Sequence, residues 1–190
     1  MTIAAVPRRP APPPTSSARG DVRFGVFPTA LGVLLVAATP RGVCHVALGD
    51  DAVALEQALR SALPEHTLIA DAPGVASWVP SIEARVAGRH SADVPLDAPG
   101  SEFQERVWAE LRRIPHGEHC SYQELAARIG QPTAARAVAR ACATNRVAVL
   151  IPCHRVIRGT GALGGYRWGI GRKQALLDAE RTSSETRSTG

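Results

Sequence analysis

Residues 121–145 read SYQELAARIGQPTAARAVARACATN, and this stretch decides how the second half of the chain folds. Ser121 and Glu124 stand in the S-x-x-E spacing of a capping box that opens a helix, and Gly130 is a natural C-terminal stop. A second helix begins behind it, with Pro132 in its first turn. Two short helices joined by a tight glycine-containing turn have the form of a helix-turn-helix, whose second helix usually addresses nucleic acid. Residues 134–141 are Ala, Ala, Arg, Ala, Val, Ala, Arg, Ala, so one face carries almost nothing to hold a DNA backbone away. Arg136 and Arg140 lie one turn apart on it, with Thr133 and Ala135 at its start. Such a helix can approach a groove closely and present arginines to it. Packed inside a core instead, it would leave both arginines merely exposed.

Working upstream, SEFQERVWAELRRI puts Phe103, Val107, Leu111 and Ile114 at helical spacing, which predicts a further helix with one packed face. The segment RHSADVPLDAPG is rich in turn formers, and a domain boundary is placed there, near residue 98. Before it, VRFGVFP, GVLLVAAT and GVCHVALG read as three strands of a small antiparallel sheet over residues 22–48. The stretch DDAVALEQALRSAL sets Leu55, Leu59 and Ala62 on one stripe of an amphipathic helix, and another helix opens near Pro80. The expected organisation is a disordered arm over 1–20, an α/β domain over 21–97, a mainly helical domain over 98–181 and a disordered tail over 182–190.

The net charge of +5 is unevenly spread. Lys and Arg minus Asp and Glu is 3 − 0 over residues 1–20, 5 − 9 over 21–100, 12 − 7 over 101–180 and 2 − 1 over 181–190. The positive excess thus falls on the half with the helix-turn-helix, as expected of a nucleic-acid-binding module. No run approaches the roughly 20 apolar residues of a membrane helix, and prolines interrupt the N-terminus before a signal-peptide core could form. A soluble, cytoplasmic monomer is expected. The four cysteines show no CxxC pair, so neither a disulfide framework nor a zinc module is indicated.

Cys44, Cys120 and Cys142 read as small buried hydrophobes. Cys153 differs, because IPCHRV sets it directly against a histidine and an arginine at the end of an apolar run. A cysteine attacks as thiolate, and an ordinary thiol is only a few per cent ionised near neutrality, so something must take its proton. His154 is adjacent, but neighbouring side chains on an extended segment point to opposite faces, which leaves a bridging water to close the gap. Glu180 could orient the histidine only if the last helix folds back on the site. A thiol hydrolase using Cys153 and His154, and a DNA-binding regulator with an inert or alkylation-sensing cysteine, remain alternatives.

IPCHRVI, followed by GALGGYRWG and preceded by SYQELAARIG and ARAVARACATN, resembles the O6-alkylguanine-DNA alkyltransferase family, including the C-terminal half of the adaptive-response protein Ada. The likeness is densest over residues 100–180 and weaker over 22–97. It implies an N-terminal ribonuclease-H-like α/β roll and a C-terminal helix-turn-helix domain of winged-helix type. It also implies base flipping in double-stranded DNA and irreversible, cofactor-free transfer of the alkyl group of O6-alkylguanine to the protein's own cysteine. Carried over by position, the resemblance makes Cys153 the acceptor, His154 the water-mediated base and Glu180 its orienting carboxylate. Asn145 would organise the turn beneath the site, and Tyr122 would donate to the departing guanine. Arg136 would fill the gap left by the flipped base, with Thr133, Ala135 and Arg140 beside it on the DNA. Tyr166 would line the lesion pocket together with Tyr122, Arg167 and Trp168. The carbonyls of Cys153 and Val156 would accept from the guanine amine, and a backbone N–H near Arg167 would face the alkylated oxygen. Trp168 stands where several family members have glycine, which would narrow the pocket. Cys44 and His45 lack a second ligand pair, so no metal is expected.

Overall fold

The computed structural model describes residues 20–188; apart from Gly20, the expected disordered arm lies outside the described residues. Strands β1 (Val22–Thr29), β2 (Gly32–Thr39) and β3 (Gly42–Gly49) pair antiparallel, close to the predicted positions. Thr29 pairs with Gly32 and Thr39 with Gly42, so each connection is a two-residue turn. Leu34 to Ala38 and Val43 to Leu48 are buried without alternation, which means that both faces of this part of the sheet are covered. Helix α1 (Ala52–Ala62) is capped by Asp51, which accepts from the Val53 N–H, and it buries Leu55 and Leu59.

A strand with no counterpart in the sequence reading, β4 (Leu68–Ala70), adds parallel to β1 and gives the order β3-β2-β1-β4. Three residues are too few for alternation to register. Helices α2 (Ala72–Val75) and α3 (Val79–Val86) follow, the second being the helix expected near Pro80. The chain then runs along the edge of β3, where Val43 N donates to Pro95 O at 2.8 Å and Asp97 N to Val43 O at 2.9 Å.

In the second half, α4 (Glu102–Leu111) starts from a capping box of Ser101 and Gln104, and its Trp108 indole donates to Ala141 O at 3.0 Å. Strand β5 (Cys120–Ser121) leads into α5 (Tyr122–Arg128), which has the predicted Ser121–Glu124 capping box, and Gly130 takes φ +74 just past its end. Helix α6 (Ala135–Ala143) then begins three residues after Pro132. Contrary to the sequence reading, Pro132 lies in the connecting turn and not in the first turn of α6. Ala134 N bonds Gln131 O at 2.9 Å, so residues 131–134 close a turn of their own before the helix starts. Val138, Ala141 and Cys142 are buried, while Arg136 and Arg140 are exposed.

Strand β6 (Val156–Ile157) pairs parallel with β5, and α7 (Ile170–Ser188) closes the fold. Residues 182–188, expected to belong to a tail, continue α7; RTSSETRS contains no Gly or Pro to end it. Residues 189–190 lie outside the described residues. Gly88 (φ +66) allows α7 to lie against the end of α3, since a Cβ there would sit 2.2 Å from Ala179 O. That approach seats Glu180 in the interior. The buried apolar residues of both halves form one cluster, making a mixed α/β fold with an N-terminal sheet and a C-terminal helical part. Among the described residues, no helix is long and apolar enough to cross a membrane.

Candidate active site

Asn145, fully buried just beyond α6, organises the segment that carries Cys153. Its Oδ1 accepts from Val147 N at 2.9 Å, while its Nδ2 donates to Ile151 O at 2.9 Å and to Cys153 Sγ at 3.2 Å. Between these anchors Leu150 N bonds Ala148 O at 2.6 Å across Val149, whose φ is 68°. This is the rare positive-φ form of γ-turn, and for a β-branched residue such geometry costs about 1–3 kcal/mol. Bonds to β3 help to hold it: Val46 N donates to Arg146 O and Ala148 N to Val46 O, both at 2.9 Å. Cys153 then opens a short 3-10 turn, Cys153–Arg155, at 5% exposure.

Burial pushes the Cys153 thiol up to about 11, against the lowering influence of the Asn145 hydrogen bond and of the Lys173 charge. Cys44 is pushed up to about 12 and Cys142 higher still, so of these three the thiol touched by Asn145 ionises most easily. With a value near 11, a standing thiolate at neutral pH costs about 5 kcal/mol. The resting group is therefore the thiol.

His154 is the next residue in the chain. It is 1% exposed, and burial lowers its pKa against the opposing pull of Glu180, so the ring is neutral near pH 7. Its Nε2 lies 2.9 Å from Glu180 Oε1. Glu180 is held at about 2: its burial opposes ionisation, and the hydrogen bonds from His154 and Arg155, with the Arg155 charge, outweigh it. A carboxylate can only accept, so the hydrogen-bond network assigns the imidazole proton to Nε2 and leaves a lone pair on Nδ1. Nδ1 is buried and makes no hydrogen bond. The last helix thus folds back as the Glu180 reading requires. Glu180 also accepts from Arg155 Nη2 at 2.8 Å and Nε at 2.9 Å, and from Gly117 N at 3.1 Å, while Arg155 Nη1 donates to Ile114 O at 2.7 Å.

Arg155 and Lys173 are site residues that sequence reasoning missed. Lys173, fully buried, donates from Nζ to Val156 O at 2.6 Å and to Leu163 O, fastening α7 to the segment after Cys153. One of the two carbonyls expected to receive the guanine amine therefore already has a partner, though a carbonyl oxygen can accept twice.

Cys153 opens onto a cavity of about 400 Å3 lined by Tyr122, Ala139, Cys142, Ala143, Gly165, Tyr166 and Arg167. The small residues of α6 thus wall this cavity as well as leaving its outer face bare. Tyr122 and Tyr166 are both made weaker acids by burial, and the Tyr166 hydroxyl is buried without a hydrogen bond. Trp168 is 7% exposed and lies outside this lining: its ring packs edge-to-face with Tyr166, centroids 5.1 Å apart at 67°, a support behind the wall and not part of it. Thr133, Arg136, Arg140 and Arg167 are exposed and Ala135 is half-buried. Among the described residues, no three His, Cys, Asp or Glu side chains converge as a metal site would need.

Fold and site together define a protein that sets a cavity-lining thiol and a buried His–Glu pair beside a helix-turn-helix. A sequence profile described as "6-O-methylguanine DNA methyltransferase, DNA binding domain" matches residues 102–182. The chain is 44% identical over 168 residues to the "Bifunctional transcriptional activator/DNA repair enzyme Ada" of Escherichia coli, covering 86% of this chain and 47% of that protein. It is 47% identical over 121 residues to the methylated-DNA–protein-cysteine methyltransferase of Mycobacterium tuberculosis, covering 63% of this chain and 73% of that one. The crystal structure of Mycobacterium tuberculosis OGT in complex with DNA is similar at a TM-score of 0.71 and 36% identity, over 84% of this chain and 93% of that one. The chain belongs to the methylated-DNA–protein-cysteine methyltransferase family. It spans about half the length of the Ada proteins that it matches.

Proposed function

We propose that this chain repairs double-stranded DNA by moving an alkyl group, mainly methyl, from O6 of guanine, and less readily from O4 of thymine, onto Cys153. The observation that carries the reading is the thiol at the cavity, donated to by Asn145 and followed in the chain by a buried histidine whose Nε2 is paired with Glu180. Sγ attacks the alkyl carbon, the S–C bond forms as the C–O bond breaks, and the electron pair passes to the purine. The thiol proton moves through a bridging water to His154 Nδ1, and Glu180 stabilises the imidazolium. Tyr122, kept protonated by its raised pKa, donates to the leaving base. Water does not displace the alkyl group from the thioether, because the leaving group would be a thiolate, so one chain repairs one lesion without a cofactor.

Access to the alkyl carbon requires the base outside the stack, at a cost of a few kcal/mol. In this reading α6 lies in the groove with Thr133, Ala135 and Arg140 at the DNA, and Arg136 occupies the gap. The protein acts as a monomer in the cytoplasm, with domains at 21–97 and 98–181. The β3-β2-β1-β4 order supports a ribonuclease-H-like roll for the first. The turn closed by Arg158 N to Ala162 O at 2.8 Å, after α5 and α6, supports a winged-helix-like second domain.

Intact-mass measurement after mixing with O6-methylguanine duplex tests the proposal. The expected result is one added methyl per chain, on the Cys153 peptide, after which reaction stops. Turnover by unmodified protein would indicate a hydrolase, and binding without uptake a regulator; either would overturn it.

A further inference from the structure

Arg172, in the first turn of α7, bonds three separate parts of the chain. Its Nε donates to Leu31 O at 2.8 Å in the β1–β2 turn, its Nη1 to Trp168 O at 3.1 Å, and its Nη2 to the carboxylate of Asp50 just after β3. The Arg172 side chain is 18% exposed and that of Asp50 88%. Solvent screens the ion pair, so the two carbonyl bonds matter more. The backbone makes room for this arrangement at Gly32, where φ is +98 and a Cβ would come within 3.1 Å of Arg172 Nη2 and 2.5 Å of Gly49 O.

Trp168, whose carbonyl Arg172 holds, packs its buried ring edge-to-face with Tyr166, and Tyr166 faces the Cys153 cavity. Arg167, between the two aromatic residues, also lines that cavity. The N-terminal sheet is thereby joined to the cavity wall through one guanidinium. We propose that Arg172 is a positioning residue through which the N-terminal sheet sets the wall of the lesion pocket, an inference that rests on the function proposed above. A lysine cannot replace it, because one compact ammonium cannot direct donors along three divergent lines as the planar fork does. A wall residue displaced by about 1 Å can cost on the order of a hundredfold in rate without touching the reacting atoms.

The test uses the full chain with Arg172→Ala, Arg172→Lys and Asp50→Ala. It reads the single-turnover methyl-transfer rate at saturating O6-methylguanine duplex, the duplex Kd, and the ratio of Cys153 labelling by a bulky maleimide to that by iodoacetamide, quantified on the Cys153 peptide. Arg172→Ala should slow transfer by about ten- to a hundredfold, leave Kd within about twofold and raise the labelling ratio several-fold. Arg172→Lys should fall between Arg172→Ala and wild type, and Asp50→Ala should match wild type. A merely structural role would lower stability and scale both labelling rates alike, leaving their ratio unchanged. An unchanged ratio with an unchanged transfer rate overturns the inference, as does full restoration by lysine. If Arg172→Ala shows no cooperative urea transition, Arg172→Lys decides by the same readouts. A wild type that takes up no methyl group would sink the proposed function, whereas the labelling ratio would still judge Arg172.

Discussion

Replacing Glu180 by glutamine tests the relay at its most constrained point. The carboxylate accepts from His154 Nε2 and Arg155 Nη2 through Oε1, and from Arg155 Nε and Gly117 N through Oε2. An amide has one oxygen, so in either orientation an N–H is turned on a donor. With the NH2 toward His154, it donates to Nε2, the ring proton shifts to Nδ1, and the proposed proton acceptor disappears. With the NH2 toward Gly117, the tautomer survives, but the imidazolium formed during attack loses its counter-charge. The amide counterpart of a Ser-His-Asp triad, where the tautomer is wrong, loses about ten-thousandfold in rate. Transfer by Glu180→Gln should therefore fall by between about a hundredfold and ten-thousandfold, or roughly 3–5 kcal/mol of barrier. Stability falls too, because stripping one partner from a buried pair costs about 3–5 kcal/mol and the amide oxygen offsets only part of that. The assay is single-turnover transfer from labelled O6-methylguanine duplex, with urea unfolding on the same preparation and duplex Kd as a control on α6. A variant that folds cooperatively, binds duplex normally and transfers within about threefold of wild type would refute the relay.

Four further outcomes are expected. Cys153→Ser should abolish transfer and leave duplex binding largely intact, a hydroxyl being a far poorer nucleophile than a thiolate; mass analysis showing methyl uptake at Cys44, Cys120 or Cys142 would sink the assignment. Arg136→Ala should slow repair of duplex far more than reaction with free O6-methylguanine, and equal losses would place the arginine in the pocket or in folding instead. His45 is held at about 4 by burial and then by the Arg167 and Arg146 charges, against an ordinary 6.5, so between those values the unfolded chain binds a proton that the folded one does not. Its contribution is complete above the ordinary value and is lost as pH falls towards the folded one, by about 2 kcal/mol at pH 5; urea unfolding at pH 7 and pH 5 should show His45→Leu losing that much less. Trp168→Gly should raise the inactivation rate by free O6-benzylguanine about ten- to a hundredfold without improving methyl transfer, since removing the indole frees Tyr166 to yield; equal rates would show that Trp168 plays no part in selection.

What was legible in the sequence was local. The capping box at Ser121 and the stop at Gly130 each act within a few residues, and each appears where the spacing puts it. What stayed hidden depends on elements meeting in space: Arg155 reaches Glu180 across 25 positions and Arg172 reaches Leu31 across 141. No periodicity links such pairs. A compositional signal did exist for Lys173, the only lysine among 22 basic residues. Where arginine serves everywhere else, a single lysine marks a place that needs a compact, rotatable ammonium, and here it is closed between two backbone carbonyls.

The same distinction explains why IPCHRV singles out a candidate thiol and a candidate base but not the thiol's resting state. Acidity is set by everything packed around the sulfur, and burial outweighs both Asn145 and Lys173. A thiol kept protonated near pH 7 reacts slowly with oxidants and stray electrophiles, because their attack also runs through the thiolate. For a residue that the proposed chemistry can use only once, that reserve has a direct consequence. In the proposed chemistry the proton leaves toward His154 only as the alkyl carbon is attacked, so the site would spend its cysteine on the group that fills the cavity and not on whatever reaches its surface.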